Sequence, residues 1–278
     1  MTTTRLAAVL LAVLFFTACQ KEISDFGEPE VVPGPTACQL TRMVQGATGT
    51  PADTVFHISY DNNKRIVKLV DSTHQDTMTA IFHSSGKLAR IDHDWGYFKL
   101  FDYTPENRLS AVVSPFSAAE YEYLTGDTLP IRVNLYEWDD QAQDFLPLAY
   151  DTLYYDGDGQ LVRLMEYDPA GVPVMEIQLT YSALQNTFGA LGLFNYENYL
   201  GMGDIFPLSI YYALDGRYML NTYRETMIAT NEQFSVDVNY TTDPGQKITG
   251  TRAILKQLNN GATVATATAT RKYFYTCP

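Results

Sequence analysis

The sequence predicts an all-β protein: an antiparallel meander of hairpins that forms a twisted sheet or open barrel, with one short helix near residues 190–200. Three observations carry this prediction. A seven-residue pattern recurs, in which an aromatic and a polar residue precede two turn residues, Gly or Asn, a polar residue, and Leu or Ile. It stands as "YDNNKRI" from Tyr60, "FHSSGKL" from Phe82, "YTPENRL" from Tyr103, "YDGDGQL" from Tyr155 and "YALDGRY" from Tyr212. The flanks are rich in Tyr, Val, Ile, Leu and Thr, which suit pleated, half-buried strands. An Asp-Thr pair recurs ahead of the pattern, at Asp53-Thr54, Asp76-Thr77 and Asp151-Thr152, with Asp127-Thr128 opening "LPIRVNLYEW".

Each copy reads as a hairpin. The fifth position is Gly86, Asn107, Gly159 and Gly216, with Lys64 as the exception. Gly and Asn accept the positive φ that closes a type I turn through a G1 bulge. Looser copies are "YDPAGVP" from Tyr167, with Gly171, and "YTTDPGQKI" from Tyr240. Polar–apolar alternation is imperfect, because Leu161 and Leu164 fall on opposite faces of a regular strand. Such strands call for cover on both sides. At the C-terminal end, Asn259-Asn260-Gly261 separates two strand-like runs, an Asn-Gly hairpin signal. Residues 186–207, "NTFGALGLFNYENYLGMGDIFP", break the rhythm, and the short helix is placed over 191–200. Long loops often carry function, so Phe194, Tyr196 and Tyr199 are binding candidates, against the plainer reading of a helix plugging one end of the sheet.

Organisation follows from composition. Residues 1–18 read as a signal segment, with Arg5 ahead of "LAAVLLAVLFF". That apolar run is shorter than the roughly twenty residues a spanning helix needs. Residues 19–37 are rich in acids, Pro and Gly and read as a flexible tether. Residues 38–278 form a single all-β domain. The formal charge is −13 with no basic run, which disfavours nucleic acid and anionic lipid as partners. If Cys19 is modified, Cys38 and Cys277 remain at the two edges of the domain, either bridged or as two buried thiols.

Several residues are candidates for chemistry. In "YDGDGQL", Asp156 and Asp158 fit two positions of a calcium loop, but Tyr154 and Met165 occupy two others that need oxygen ligands. Both acids therefore read as turn residues, and no metal is expected. His57, His74, His83 and His93 are the four histidines. His83 approaching His93 across a hairpin would make a two-His site, whereas a solvated strand end is the simpler reading. Glu137 with Asp139 or Asp140 is a formal glycosidase pair, although spacing in a strand does not fix the carboxylate separation. Nucleophile, P-loop and dinucleotide motifs are absent, so no catalytic residue and no cofactor is assigned. Tyr136 and Trp138 share one strand face, where they suit either carbohydrate stacking or cross-strand packing.

Resemblances add to this. Phe16-Thr17-Ala18-Cys19 resembles the lipobox of bacterial lipoproteins, which implies acylation of Cys19, and Gln20-Lys21-Glu22 resembles the export signal of Bacteroidetes surface lipoproteins. With Cys38-to-Thr41 and the Tyr-Asp turns, the chain resembles a group of uncharacterised Bacteroidetes outer-membrane lipoproteins whose repeats are similar to the YD repeats of Rhs-type shells. The Asp-Thr and Asp-Ser steps resemble the O-glycosylation acceptor of exported Bacteroidetes proteins, at Thr54, Ser72, Thr77, Thr128 and Thr152. The expected function is a lipid-anchored, surface-exposed outer-membrane module. It is non-catalytic, with a glycan or an envelope protein as partner and the lipid as its only membrane contact. The alternative is an exported hydrolase whose site the sequence does not display.

Overall fold

The computed structural model describes residues 38–47, 53–185 and 218–277. Sixteen strands follow in chain order among them: β1 (Gln39–Ala47), β2 (Thr54–Tyr60), β3 (Ile66–Asp71), β4 (Asp76–Phe82), β5 (Leu88–His93), β6 (Phe98–Tyr103), β7 (Leu109–Val113) and β8 (Ser117–Tyr123). Then come β9 (Pro130–Asp139), β10 (Asp144–Tyr155), β11 (Leu161–Tyr167), β12 (Pro173–Gln185), β13 (Tyr218–Met227), β14 (Glu232–Thr242), β15 (Ile248–Asn259) and β16 (Ala262–Thr276). Each strand pairs antiparallel with the next, and β16 pairs back onto β1. The expected twisted sheet or open barrel is therefore corrected to a closed one. Closure leaves no edge strand along the paired wall, which removes the unpaired backbone groups of an open sheet. The described residues contain no helix; the helix expected over 191–200 and the copy at Tyr212 lie outside them.

The tyrosine turns connect β2–β3, β4–β5, β6–β7, β8–β9, β10–β11 and β14–β15, all at one end of the barrel, here the turn rim. The copy at Tyr167 connects β11 to β12 at the opposite end, the far rim. The predicted backbone is present at both: φ is +62° at Lys64, +90° at Gly86, +66° at Asn107, +78° at Gly159 and +86° at Gly171. Lys64 adopts this conformation without being Gly or Asn, at a cost of about 1–2 kcal/mol. The aspartate at the second position closes the loop. Asp61 Oδ1 accepts from the amides of Asn63 and Arg65, and Asp156 Oδ1 from those of Asp158 and Gln160. Asp168 and Asp243 do the same at their own turns. The Asn-Gly turn is also as expected, with Asn260 and Gly261 at φ +47° and +79°.

One residue bulges out just after each of these turn-rim hairpins. Tyr60 pairs with Ile66 while Ser59 pairs with Lys68, leaving Val67 extra. The pairings Phe82–Leu88, Tyr103–Leu109, Tyr123–Pro130 and Tyr155–Leu161 repeat the same shift. A bulge puts residues three apart on one face. Hence Leu161 and Leu164 are both buried, as are Ile66 with Leu69, Leu88 with Ile91, and Leu109 with Val112. The expected two-sided cover is corrected accordingly: the continuous apolar core lies on the inner face.

That inner face holds one continuous core from Leu40 to Tyr273, including Phe56, Ile91, Val133, Ile177, Tyr223 and Val236. The outer face is mostly polar, with Ile81, Tyr154 and Phe274 exposed on it among the charges. Lys68, Arg90, Arg132, Arg163, Arg224 and Lys256 alternate with buried neighbours and point outward. Four of them are tied to partners along the wall: Arg90 Nε lies 2.5 Å from Asp92, Arg163 Nε 2.6 Å from Glu176 and Lys256 Nζ 3.0 Å from Asp237. Arg132 donates to Asn134, which donates to Glu122.

A belt of tyrosine hydroxyls laces the turn rim. Tyr60 donates to the carbonyl of Leu40, Tyr103 to Leu88, Tyr123 to Leu109 and Tyr155 to Pro130. Tyr181 donates to Leu161, Tyr240 to Leu220 and Tyr275 to Ile248. Each bond joins the turn-rim end of one strand to the turn-rim start of the paired strand before it. Burial pushes the Tyr60 hydroxyl up to about 12 and raises those of Tyr155, Tyr181, Tyr240 and Tyr275 as well, so these stay donors. At the equivalent place in β4 stands Phe82, which has no hydroxyl. Where the chain ends meet, Leu40 pairs with Tyr275 and Cys38 is bonded to Cys277 at 2.03 Å.

Three outcomes follow for urea unfolding. Tyr155→Phe loses about 1–2 kcal/mol, because the Pro130 carbonyl loses a buried donor, while Phe82→Tyr gains about 1 kcal/mol by completing the belt. Cys38→Ser with Cys277→Ser loses up to about 5 kcal/mol, the loop-closure limit for so long a span. In hydrogen exchange, β1 and β16 then open before β8 and β9.

Candidate functional site

The far rim carries the exposed aromatic residues that the fold leaves unused. Three successive hairpins meet there: β5–β6 through residues 94–97, β7–β8 through 114–116 and β9–β10 through 140–143. In the first, the His93 amide donates to the Tyr97 carbonyl at 2.8 Å and the Gly96 amide to the His93 carbonyl at 3.1 Å. Gly96 sits at φ +95°, which a side chain would strain, and this turn projects Trp95 from the tip. In the second, the buried Ser114 hydroxyl accepts from the amides of Phe116 and Ser117, fixing a tight Ser-Pro-Phe-Ser turn. The Trp138 amide donates to the Phe116 carbonyl at 2.9 Å, which ties this tip to β9.

These turns place their rings together. Trp95 stacks on Tyr97 with centroids 5.1 Å apart and planes 16° apart, and Tyr97 on Phe116 at 6.4 Å and 21°. His93 props the first two edge-on, at 5.4 and 5.2 Å. The end rings remain in water: Trp95 is 61% and Phe116 64% exposed.

Carboxylates adjoin the stack. Asp76 Oδ2 lies 3.6 Å from His93 Nδ1. Burial first, and then the neighbouring Asp94 carboxyl, push the Asp76 carboxyl up, against the pull of His93. Its cross-strand neighbour Asp71 is occupied by the amides of Thr73 and His74 and by the His74 ring. Among the described residues no group of His, Cys, Asp and Glu is arranged to hold a metal. A second acidic set faces inward on the opposite wall, where Tyr223 donates to Glu225 at 2.6 Å and burial together with Glu225 pushes Glu166 up.

The sequence candidates are distributed as follows. Tyr136 and Trp138 do share the outer face of β9, opposite Val133 and Leu135. Tyr136 is engaged with Glu120 at 2.9 Å, and Trp138 with Asp140 at 3.0 Å and edge-on with Phe145. His83 lies at the turn rim against Tyr103, whereas His93 lies at the far rim. The two-His site is thus corrected, since the length of β5 separates them. Asp139 Oδ1 caps the amides of Gln141 and Ala142, so it serves as a turn residue. Thr54 and Thr77 stand at strand starts, Ser72 in a far-rim turn with its hydroxyl on the Val55 carbonyl, and Thr128 in a turn. Thr152, expected beside a strand start, instead lies within β10, paired with Arg132 and Met165. Cys19, Phe194, Tyr196 and Tyr199 lie outside the described residues.

Sequence reasoning passed over Trp95 and Phe116. "DWG" and "SPF" are compact turn sequences that lift an aromatic to a tip, and that signal was present in the chain.

No family model matches this chain, and neither does any curated protein. Among solved structures, a porin-like protein from Bacteroides uniformis overlaps 87% of this chain and 98% of its own, at 14% identity and TM-score 0.41. One from Bacteroides vulgatus overlaps 86% and 99%, at 14% identity and TM-score 0.44. The Tc holotoxin pore of Photorhabdus luminescens overlaps 81% of this chain and 10% of its own, at 11% identity and TM-score 0.32. Function is therefore argued from the barrel's own geometry.

Asp76→Asn tests the electrostatics of this rim. A carboxyl raised on folding contributes its stability below the unfolded value, and that contribution is lost as pH rises through the folded value. The substitution therefore raises the thermal midpoint at pH 7, and the gain over the parent protein shrinks as the buffer is taken down to pH 4.

Proposed function

We propose that this is a cell-envelope protein held by an acyl chain on Cys19, with its barrel in water and its far rim turned away from the membrane. It acts there as a non-catalytic binding module. The observation that carries the reading is the polarity of the wall. A membrane barrel needs an outward apolar band about 25 Å tall, and a Lys or Arg on its lipid face costs about 2–4 kcal/mol at mid-depth. Here the outward face carries Lys68, Arg90, Arg132, Arg163, Arg224 and Lys256, which interrupt its exposed apolar residues such as Ile81, Tyr154 and Phe274, while the core apolar residues face in. A wall of this polarity does not reside in lipid. Membrane attachment must then come from elsewhere, and the lipobox-like Phe16-Thr17-Ala18-Cys19 supplies a candidate.

Orientation follows from where the tether joins. Residue 38 opens the barrel at the turn rim, beside the bond to Cys277. A tether over 19–37 ending there holds that rim toward the bilayer and presents the far rim outward.

Fractionation of cells expressing the protein and its Cys19→Ala variant tests this. The parent incorporates labelled palmitate and sediments with membranes, whereas the variant takes up no label and is soluble. A Cys19→Ala protein that stays in the membrane pellet through an alkaline carbonate wash would overturn the reading.

A further inference from the structure

The stacked rings at the far rim have no role in closing the barrel. Folding gains little from an indole and a phenyl ring that leave more than half their surface in water, so exposed aromatics grouped in one place need another explanation. We propose that Trp95, Tyr97 and Phe116 form a stacking site for neutral pyranose sugars of an extended glycan, an inference that rests on the far rim facing water.

Four features select this occupant. The rings run near-parallel in a row, 16° and 21° between neighbours, with Tyr97 holding the exposed Trp95 and Phe116 so that each end ring offers a flat apolar surface to a flat ligand. A cation site would enclose its guest between crossed rings, and Tyr97 already has the Lys99 ammonium 5.7 Å from its centroid. The exposed Asp94 carboxylate beside Trp95 offers acceptors for sugar hydroxyls. Together with a formal charge of −13, it also selects against anionic polymers.

A second copy of the chain is a poorer occupant. Two exposed rings offer at most a few hundred Å², below the roughly 800 Å² per partner of a stable complex. The site is also preorganised. Both tips are locked by short backbone hydrogen bonds and the Ser114 hydroxyl, so little freedom is lost on binding.

The test uses the full chain carrying Cys19→Ala, isolated without lipid, so its result does not depend on anchoring. A failed titration leaves the fractionation result standing, and a failed fractionation leaves the titration valid. Trp138→Phe is added so that indole emission reports Trp95, the other of the 2 tryptophans. Cello-, xylo-, manno- and N-acetylchito-hexasaccharides are titrated, with hexagalacturonate as the anionic control. At least one neutral oligosaccharide is expected to give a saturable change in emission, and hexagalacturonate none. By calorimetry on the Trp138→Phe protein, Trp95→Ala and Phe116→Ala are each expected to weaken that binding about ten-fold or more. Unchanged unfolding midpoints show that the two variants remain folded. The proposal is overturned if none of the neutral oligosaccharides binds at millimolar concentration, if binding survives both alanine substitutions, or if sedimentation shows a dimer that depends on Trp95.

Discussion

The whole barrel depends on one repeated unit: a positive-φ turn, the single bulged residue behind it, and the tyrosine hydroxyl that reaches back to the hairpin before. The turn sets the register. The bulge then brings two apolar residues three apart onto the same face, as with Ile66 and Leu69 or Leu161 and Leu164. The hydroxyl adds what neither supplies, a side-chain tie at the rim between paired strands that belong to two successive turn-rim hairpins. Among the described residues seven such bonds run around the rim, each with a net value of about 1 kcal/mol. The effect is cooperative in the structural sense, since a hairpin out of register loses its own donor and its neighbour's acceptor together.

Closure is the point at which this unit meets the chain ends. Between β16 and β1 there is no turn to set the register, yet Leu40 pairs with Tyr275 and Thr41 is bulged, as at every tyrosine turn. The Cys38–Cys277 bond stands where the missing turn would be. A covalent link thus replaces a local loop, which matters because two strands more than two hundred residues apart must otherwise find each other by diffusion.

The wall and the rims divide the work. The inner face gathers the apolar core and the outer face carries the charged side chains. Its two rims differ in kind: one is consumed by turns, belt and chain ends, while the other carries rings held rigidly in solvent. Asp156 and Asp158 show the first kind. They resemble metal ligands in isolation, but Asp156 spends its carboxylate on the amides of its own loop. Trp95 and Phe116 show the second, since nothing within the fold requires their exposure.

The turns, their positive φ values and the antiparallel all-β meander were legible in the chain, because each is decided within about seven residues by backbone sterics and by one aspartate or glycine. Even Lys64 was located by its place in the pattern. Closure of the sheet, the one-sided core and the stacked rings at the far rim were not legible in this way. Each depends on where separate hairpins lie relative to one another, as with Leu40 against Tyr275 or Tyr97 against Phe116. The bulge explains why alternation misled: a single extra residue reverses the facing of everything after it, and its effect appears only in the partner strand. Local chemistry determined the unit, and tertiary pairing alone decided that its copies form a ring with a polar outside and two unlike ends.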